Sequence, residues 1–418
     1  MLHLTVAGSL EPLADELADR LEVPLADPFT PEVVVVPGAG VRDWVTRRVA
    51  GRLGVAANLD FAFPAALVAR VLGDDDGYGA WAVGPLTWAI HEALVERGGE
   101  LGLPADAVRA RAIADLFDRY ALYRPGMVLR WSAGDDVGAT GLALDEHQRW
   151  QPALWRDVQH RLGGGPTDAQ RLAARARALR EGEVDDHLAE VPERVFLFGL
   201  ASLPSPHVDL VCALARHREV HVLAPVASPA DWARVADRLT GPLALPVLRS
   251  DDAAVAGSAH PLVTGWGRTS REANLLLLDA AQQVDRPDIV APDPPPPLPA
   301  DASVLARLQH GIRADAWTDA GVVRELPVLD AADPSIRWHR TYGPARQVEV
   351  LRDALLHLLE ERDDDGSPRF EPRDVAVLCA DPGGFAPLVE ATFAGDPDHG
   401  VPRLPVQVAD RSLRRDNA

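Results

Sequence analysis

The 418-residue sequence contains no lysine, so all 42 of its basic side chains are arginine. That absence removes a large class of chemistry, because a phosphate-binding loop needs a lysine that reaches the β and γ phosphates from behind a glycine-rich turn. The first strand-like run, Leu2 to Val6, leads instead into AGSLEPLADELADRL, with Glu11 where phosphate would require positive charge. Cysteine is nearly absent too. Cys212 and Cys379 lie far apart, each inside an apolar run, which argues against a disulfide framework or a cysteine zinc site. No apolar run approaches the roughly 18 residues that span a bilayer. The opening MLHLTVAGSLEPLADE lacks the basic start and long apolar centre of a secretory leader, so the expected location is cytoplasmic.

Positive charge is also scarce overall, with 62 acidic residues giving a net charge of −20. Nucleic-acid binders are usually basic, so the balance taken alone argues against DNA. A GC-rich genome accounts for the all-arginine usage. Arginine nevertheless holds phosphate bidentately and stacks on bases, so a locally basic groove within an acidic shell is compatible with this composition.

What is present is a series of short apolar runs separated by helical patterns. Val33 to Val36 form a β-branched run typical of a parallel strand covered on both faces. Gly38 and Gly40 then turn the chain into a helix with Val41, Trp44, Val45, Val49 and Leu53 three or four apart. With the runs at 2–6, 195–198 and 220–224, this predicts one parallel α/β lobe built from residues 1–63 and 190–240. Residues 64–189 read as a helical insertion. Residues 241–332 read as irregular, with the stiff segment APDPPPPLPA as a linker. In 333–418, IRWHRTYG, a helix carrying Val348, Leu351, Leu355 and Leu358, DVAVLCAD and PVQVAD predict the start of a second α/β lobe. An open sheet cut there leaves apolar faces and an edge bare, so a fragment of a longer protein is expected.

Other motifs give weaker signals. Gly38-x-Gly40 after a strand, with Asp60 about 20 residues on, imitates a dinucleotide-binding fingerprint, so a NAD-binding oxidoreductase is one alternative reading, a purely structural scaffold being the other. Against it, Asp43 takes the third glycine position, and the unit is the second βα rather than the first. His217 and His221 in HREVH have the spacing of zinc ligands, but His221 already belongs to the strand VHVLAP, so the two rings would not share a helical face. The runs DDDGYG at 74 and DDDGS at 363 lack the alternation of a calcium loop. RVFLFGLAS ends in Gly199, Leu200 and Ala201, without a carboxylate to hold magnesium. No cofactor, metal or catalytic residue is therefore expected.

One string, GVAANLDF (Gly54 to Phe61), carries a family likeness, and ADLFDRYALYRP, WQPALW, RVFLFGLASLP, HPLVTGWG and VADRSLRR follow it in matching order. The sequence resembles the RecC family, the gamma subunit of exodeoxyribonuclease V. The resemblance implies an inactive superfamily 1 helicase-like (RecA-like) lobe with a helical insertion, followed by the beginning of a second such lobe. It also implies a subunit without catalysis of its own, joined to RecB-like and RecD-like partners in recombinational double-strand-break repair. Such a subunit engages double-stranded DNA ends, guides the 3′-ended single strand and scans it for Chi, and the strand-splitting pin of the family would lie beyond this sequence. By motif, the resemblance places DNA contacts at Gly40, Asp43, Phe63, Asp115, Leu116, Asp118, Arg119 and Arg124. Carboxylates there can accept from exocyclic amines, and arginine can bind guanine or phosphate.

The strand-end turn departs from the enterobacterial pattern, with Pro37, Gly38, Ala39 and Asp43 in place of amide and hydroxyl side chains. Ala69 replaces a large aromatic. By the same resemblance, a subunit so altered would read a different Chi, or none. The plainer reading of ADLFDRYALYRP is that Leu116, Phe117, Tyr120 and Tyr123 pack a helix, with Asp118 and Arg124 paired on its surface. Trp44, Trp131, Trp150 and Trp155 could stack bases, yet their helical spacing favours the core.

Overall fold

The computed structural model describes residues 1–74, 79–239, 241, 257–284, 287–317, 333–396 and 400–408. The chain divides into two compact units, Met1–Val328 and Leu329–Ala418. The first is built on six parallel strands: β1 (Leu2–Ala7), β2 (Glu32–Val35), β3 (Leu59–Ala62), β4 (Arg194–Phe198), β5 (Glu219–Pro225) and β6 (Asp288–Val290), in the order β3-β2-β4-β5-β1-β6. A parallel sheet is stable only when both faces are covered, and the alternation of side chains along each strand divides the core into two layers.

On one face Val34, Val36, Phe196, Phe198 and Leu223 pack against α1 (Leu10–Leu21) and α2 (Ala39–Leu53) through Leu13, Leu17, Val45 and Val49. On the other, Leu4, Val33, Val35, Val195, Leu197, Val220 and Val222 meet α3 (Pro64–Leu72) through Leu67 and Val71. A separate apolar cluster is built mainly from α4 (Val83–Leu101), α5 (Ala107–Tyr123), α6 (Pro125–Ser132) and α7 (Trp150–Arg161), with Ala169 of the following helix added. Ile90, Phe117, Trp131, Leu154 and Trp155 are buried in it. The chain then returns to the sheet through α8 (Asp168–Glu181), α9 (Asp186–Glu190), α10 (Ser205–Leu214) and α11 (Pro229–Arg238), whose Leu172, Leu179, Leu188, Leu210 and Trp232 complete the second layer. The two most deeply buried indoles of the helical cluster have partners, as buried Trp requires. Trp131 Nε1 donates to the Val137 carbonyl at 2.7 Å and Trp155 Nε1 to Ser132 Oγ at 2.9 Å.

The stretch read as irregular is in fact structured in its described part. It contains α12 (Pro261–Trp266), α13 (Arg268–Gln282) and α14 (Val304–Arg313), and β6 adds an edge to the sheet beside β1. β6 escaped notice because three exposed residues, one of them Asp288, are too few to show a period of two. In α13 four consecutive leucines blur the helical stripe, although Leu278 and Ala281 enter the core. The proline run 291–300 forms neither helix nor ladder.

In the second unit α15 (Pro344–Glu360) and α16 (Pro382–Phe393) pack through Val348, Phe393 and Leu404. Leu359 rather than Leu358 joins Leu351 and Leu355 on the packed face of α15, because eleven residues close three helical turns from Val348. The strands expected at IRWHRTYG and DVAVLCAD, and in the described part of PVQVAD, are not paired into any ladder among the described residues. Trp338 and Leu378 are 94% and 95% exposed. β-propensity marks a chain able to pair, but a strand exists only with a neighbour beside it. No described helix of either unit is long and apolar enough to cross a membrane.

Candidate nucleic-acid interface

Because all six strands are parallel, their carboxyl ends share one edge of the sheet, where open α/β folds place ligands. The turn after β2 and the last residue of β3 meet there, since Val36 N–H donates to the Ala62 carbonyl at 2.9 Å. Gly40 and Asp43 sit in the first turns of α2, and Phe63 is the N-cap of α3, 51% exposed. A β carbon on Gly40 would meet nothing within 4 Å.

Gly199 follows β4 with φ +69°, and a β carbon on it would stand 3.5 Å from Leu10 and 3.6 Å from Val41, the leading apolar residues of α1 and α2. The start of α1 carries its own anion: the Ser9 hydroxyl, followed by the Glu11 backbone N–H, holds the Glu11 carboxyl below the usual carboxylate range. A helix N-terminus favours negative charge, and here a side chain supplies it.

Asp43 lines a cleft of about 520 Å³ between α2 and the edge strand β3, together with Arg42, Thr46, Arg47, Ala56, Asn58, Leu59 and Phe61. Arg42 Nε donates to Asp43 Oδ1 at 2.9 Å, while Arg47 is exposed. Asn58 adopts φ +58° and ties its amide to the carbonyls of Pro28 and Thr30, at 3.1 and 2.9 Å. The sequence reading missed Arg42, Thr46, Arg47 and Phe61. Their signal was the helical spacing of 42, 46 and 47, beside alternate residues of a strand that had not been recognised.

Asp115, Leu116, Asp118 and Arg119 lie on α5, and Arg124 is its C-cap. Asp115 accepts from Arg111 Nε at 3.0 Å, and Arg119 Nε donates to the Asp115 carbonyl at 3.1 Å. Burial, and then the neighbouring Asp115, push the Asp118 carboxyl up. Leu116 is half-buried and Phe117 fully buried, as helix packing requires. The surface pair between Asp118 and Arg124 does not form: Arg124 Nη1 donates to the Tyr123 carbonyl at 2.9 Å, one residue away. Among the described residues no hydrogen bond or ion pair joins the α5 group to Gly40 and Asp43, so these are two patches. Trp131 and Trp155 are core residues, Trp150 is packed beside them, and Trp44 lies against Phe198.

The dinucleotide imitation loses its acid, because Arg70 Nη2 donates to Asp60 at 2.6 Å. His217 contacts the Leu179 carbonyl at 2.7 Å while His221 stands in β5, so the HREVH pair does not converge. Asp74 is paired with Arg171, and residues 75–78 of DDDGYG lie outside the described residues, as do 409–415 of VADRSLRR. In DDDGS, Ser367 closes a turn by donating its hydroxyl to Asp365 at 2.6 Å.

Residues 2–315 match the family model described as RecC, N-terminal domain. The RecBCD enzyme subunit RecC of Mycolicibacterium smegmatis is 34% identical over 448 residues, covering 100% of this chain and 38% of the relative. That of Mycobacterium tuberculosis is 34% identical over 454 residues, with the same coverage. That of Escherichia coli is 29% identical over 470 residues, covering 99% of this chain and 39% of the relative. The chain thus spans well under half the length of these relatives. With a family match over most of its length and full coverage at that identity, the chain belongs to the RecC family.

Proposed function

We propose that the chain is the non-hydrolysing, helicase-like part of a RecBCD-type enzyme, acting in the cytoplasm to guide a 3′-ended single strand during recombinational repair. The observation that carries this reading is the carboxyl edge. An ionised Glu11 stands at the head of α1, and Leu10 and Val41 flank Gly199, where a triphosphate would require a basic turn. ATP turnover and strand cleavage then belong to RecB-like and RecD-like partners. The sheet with its two helical layers is the motor-derived lobe, residues 64–189 contribute the inserted helices, and the second unit begins a second lobe.

The strand is held by side chains and not by a nucleotide-driven grip. Arg47 offers a phosphate contact beside Phe61, and Arg124 offers another on the inserted helices. With Pro37, Gly38 and Ala39 in the turn after β2, donors for reading base edges are few. Any recognised Chi therefore differs from that of relatives with amide-rich turns. Zero-length crosslinking of a photoreactive 3′-ended strand in the assembled complex tests the proposal. Adducts are expected in α2, β3 and the α5–α6 turn; adducts confined to the partner subunits would refute it.

A further inference from the structure

The motif HPLVTGWG, which contributes none of the DNA contacts named so far, folds as the short helix α12 with His260 as its N-cap. It belongs to the carboxyl edge of the sheet. Ser228, three residues past the end of β5, caps α11, and a β carbon on Gly8, the residue after β1, would stand 3.3 Å from Pro229. The Ser228 hydroxyl donates to the Arg313 carbonyl at 3.2 Å, which brings the end of α14 to the same place. Asp231, in the first turn of α11, accepts from Arg271 Nε at 3.4 Å, and Arg271 Nη2 donates to the Val263 carbonyl of α12 at 2.8 Å. These bonds fix α12 beside the ends of β5 and β1, across the sheet from the α2–β3 cleft.

Two indoles face solvent there. Trp266 closes α12 and is 84% exposed, and Trp317, 46% exposed, stands edge-on to the His260 ring at 5.1 Å. The mount of Trp266 is tight: a β carbon on Gly267 would lie 2.5 Å from the Val263 carbonyl oxygen, and Thr264 Oγ1 donates to the His260 carbonyl at 3.2 Å.

The charge around these indoles favours an anion. Asp231 and Asp315, each with a side chain only 8% exposed, turn inward: Asp231 to Arg234, Arg271 and Ser258, Asp315 to Arg234 and the N–H groups of Ala259 and His260. Arg268, two residues past Trp266, makes no side-chain hydrogen bond or ion pair among the described residues, and its Nε is buried without a partner. The Arg313 side chain is likewise unpaired among them, and exposed Glu272 does not pair with Arg268.

We infer that Trp266 and Trp317, with Arg268 and Arg313, bind single-stranded DNA along the carboxyl edge, the indoles stacking on bases and the guanidiniums taking phosphates. The inference rests on the guiding role proposed above and extends its path. From β3 to β5 the sheet spans three strand intervals, about 14 Å, which a stacked strand rising about 3.4 Å per nucleotide crosses in about four nucleotides. A protein partner could also cover Trp266, but unpaired arginines among inward-turned carboxylates favour a polyanion.

The test uses the assembled complex and a 3′-tailed duplex carrying iododeoxyuridine at successive positions, with adducts mapped by mass spectrometry after irradiation. Adducts are expected at Trp266 or Trp317, about four nucleotides from those in the α2–β3 cleft. Trp266→Ala, an exposed change, should weaken affinity for the tail at least about fivefold, and Trp266→Phe should restore most of it. Arg268→Ala should lower the slope of log affinity against log salt by about 0.7. Adducts in the cleft with none at Trp266 or Trp317 would overturn this inference and leave the guiding role standing, whereas adducts in neither place would overturn both. Impaired subunit assembly in Trp266→Ala with tail affinity unchanged would make the indole a protein contact and overturn it as well.

Discussion

Gly199 and Leu10 approach so closely that a β carbon on the glycine would lie 3.5 Å from Leu10 Cδ2. That separation is an ordinary van der Waals contact, so the space would tolerate alanine. The backbone would not, since φ is +69°. Gly199→Ala should therefore lower the free energy of unfolding by about 1–2 kcal/mol, from the left-handed conformation alone. A urea midpoint shifted at constant m-value measures it. The Glu11 carboxylate at the head of α1 predicts no heat of binding for Mg-ATP and no DNA-stimulated phosphate release. Saturable turnover abolished by a substitution in this chain would sink the non-hydrolysing reading.

Arg194 and Glu32 form a buried ion pair between β4 and β2, and Arg194 also donates to the carbonyls of Arg20 and Val23 at 3.2 and 2.8 Å. Removing one partner strands a charge in the sheet. Glu32→Leu should destabilise by about 3–5 kcal/mol, whereas the double change with Arg194→Met should recover much of that loss. Guanidinium denaturation of the single and the double variant reads the difference, and equal losses in the two would refute it.

The strands with long β-branched or apolar runs were legible because two-sided burial leaves an uninterrupted run, as in Val33 to Val36. β3 and β6 were not. Leu59 to Ala62 is an edge strand with three of its four residues half-buried, and its pattern resembles a loop. The α5 contacts were placed by family likeness, and the structure gives Asp115 and Arg119 local partners that spacing along a helix could have suggested. The cleft of Arg42, Arg47 and Phe61 needs α2 and β3 side by side, a pairing set by the sheet order and not by either segment.

The two cysteines should separate by reactivity. Burial pushes the Cys212 thiol up to about 12, while Cys379 is exposed. Only the thiolate reacts. In native protein near pH 8 a chromogenic disulfide reagent should therefore modify Cys379 alone, with Cys212 following on denaturation. Rapid native labelling of both thiols would show the packing around α10 to be wrong.

His207 sets a pH dependence. Burial pushes its imidazole below the ordinary value, and Nδ1 has no hydrogen-bond partner. A histidine held neutral in the fold binds its proton more readily once unfolded, so its stabilising contribution is complete above an unfolded value of about 6.5 and is lost as pH falls toward the lowered folded value. The urea midpoint should decline from pH 7.5 to pH 5.5, and His207→Leu should flatten that decline. An identical slope in wild type and variant would exclude His207 as the cause.

Arg47 is the side chain on which the DNA proposal bears most directly. It is exposed at the rim of the α2–β3 cleft, while its neighbour Arg42 is already engaged with Asp43. A cation that contacts one phosphate of a single strand releases about 0.7 counterion, so Arg47→Ala should weaken binding and reduce the slope of log affinity against log salt by about 0.7. Phe61→Ala should act differently. Loss of base stacking costs about 1–3 kcal/mol and leaves the salt slope unchanged. Because Phe61 also packs against the α1–α2 layer, its variant needs a check of folding by circular dichroism. Measured in the assembled complex over a range of ionic strength, the two variants distinguish phosphate contact from stacking. Wild-type affinity and slope in both would remove this cleft from the path of the strand.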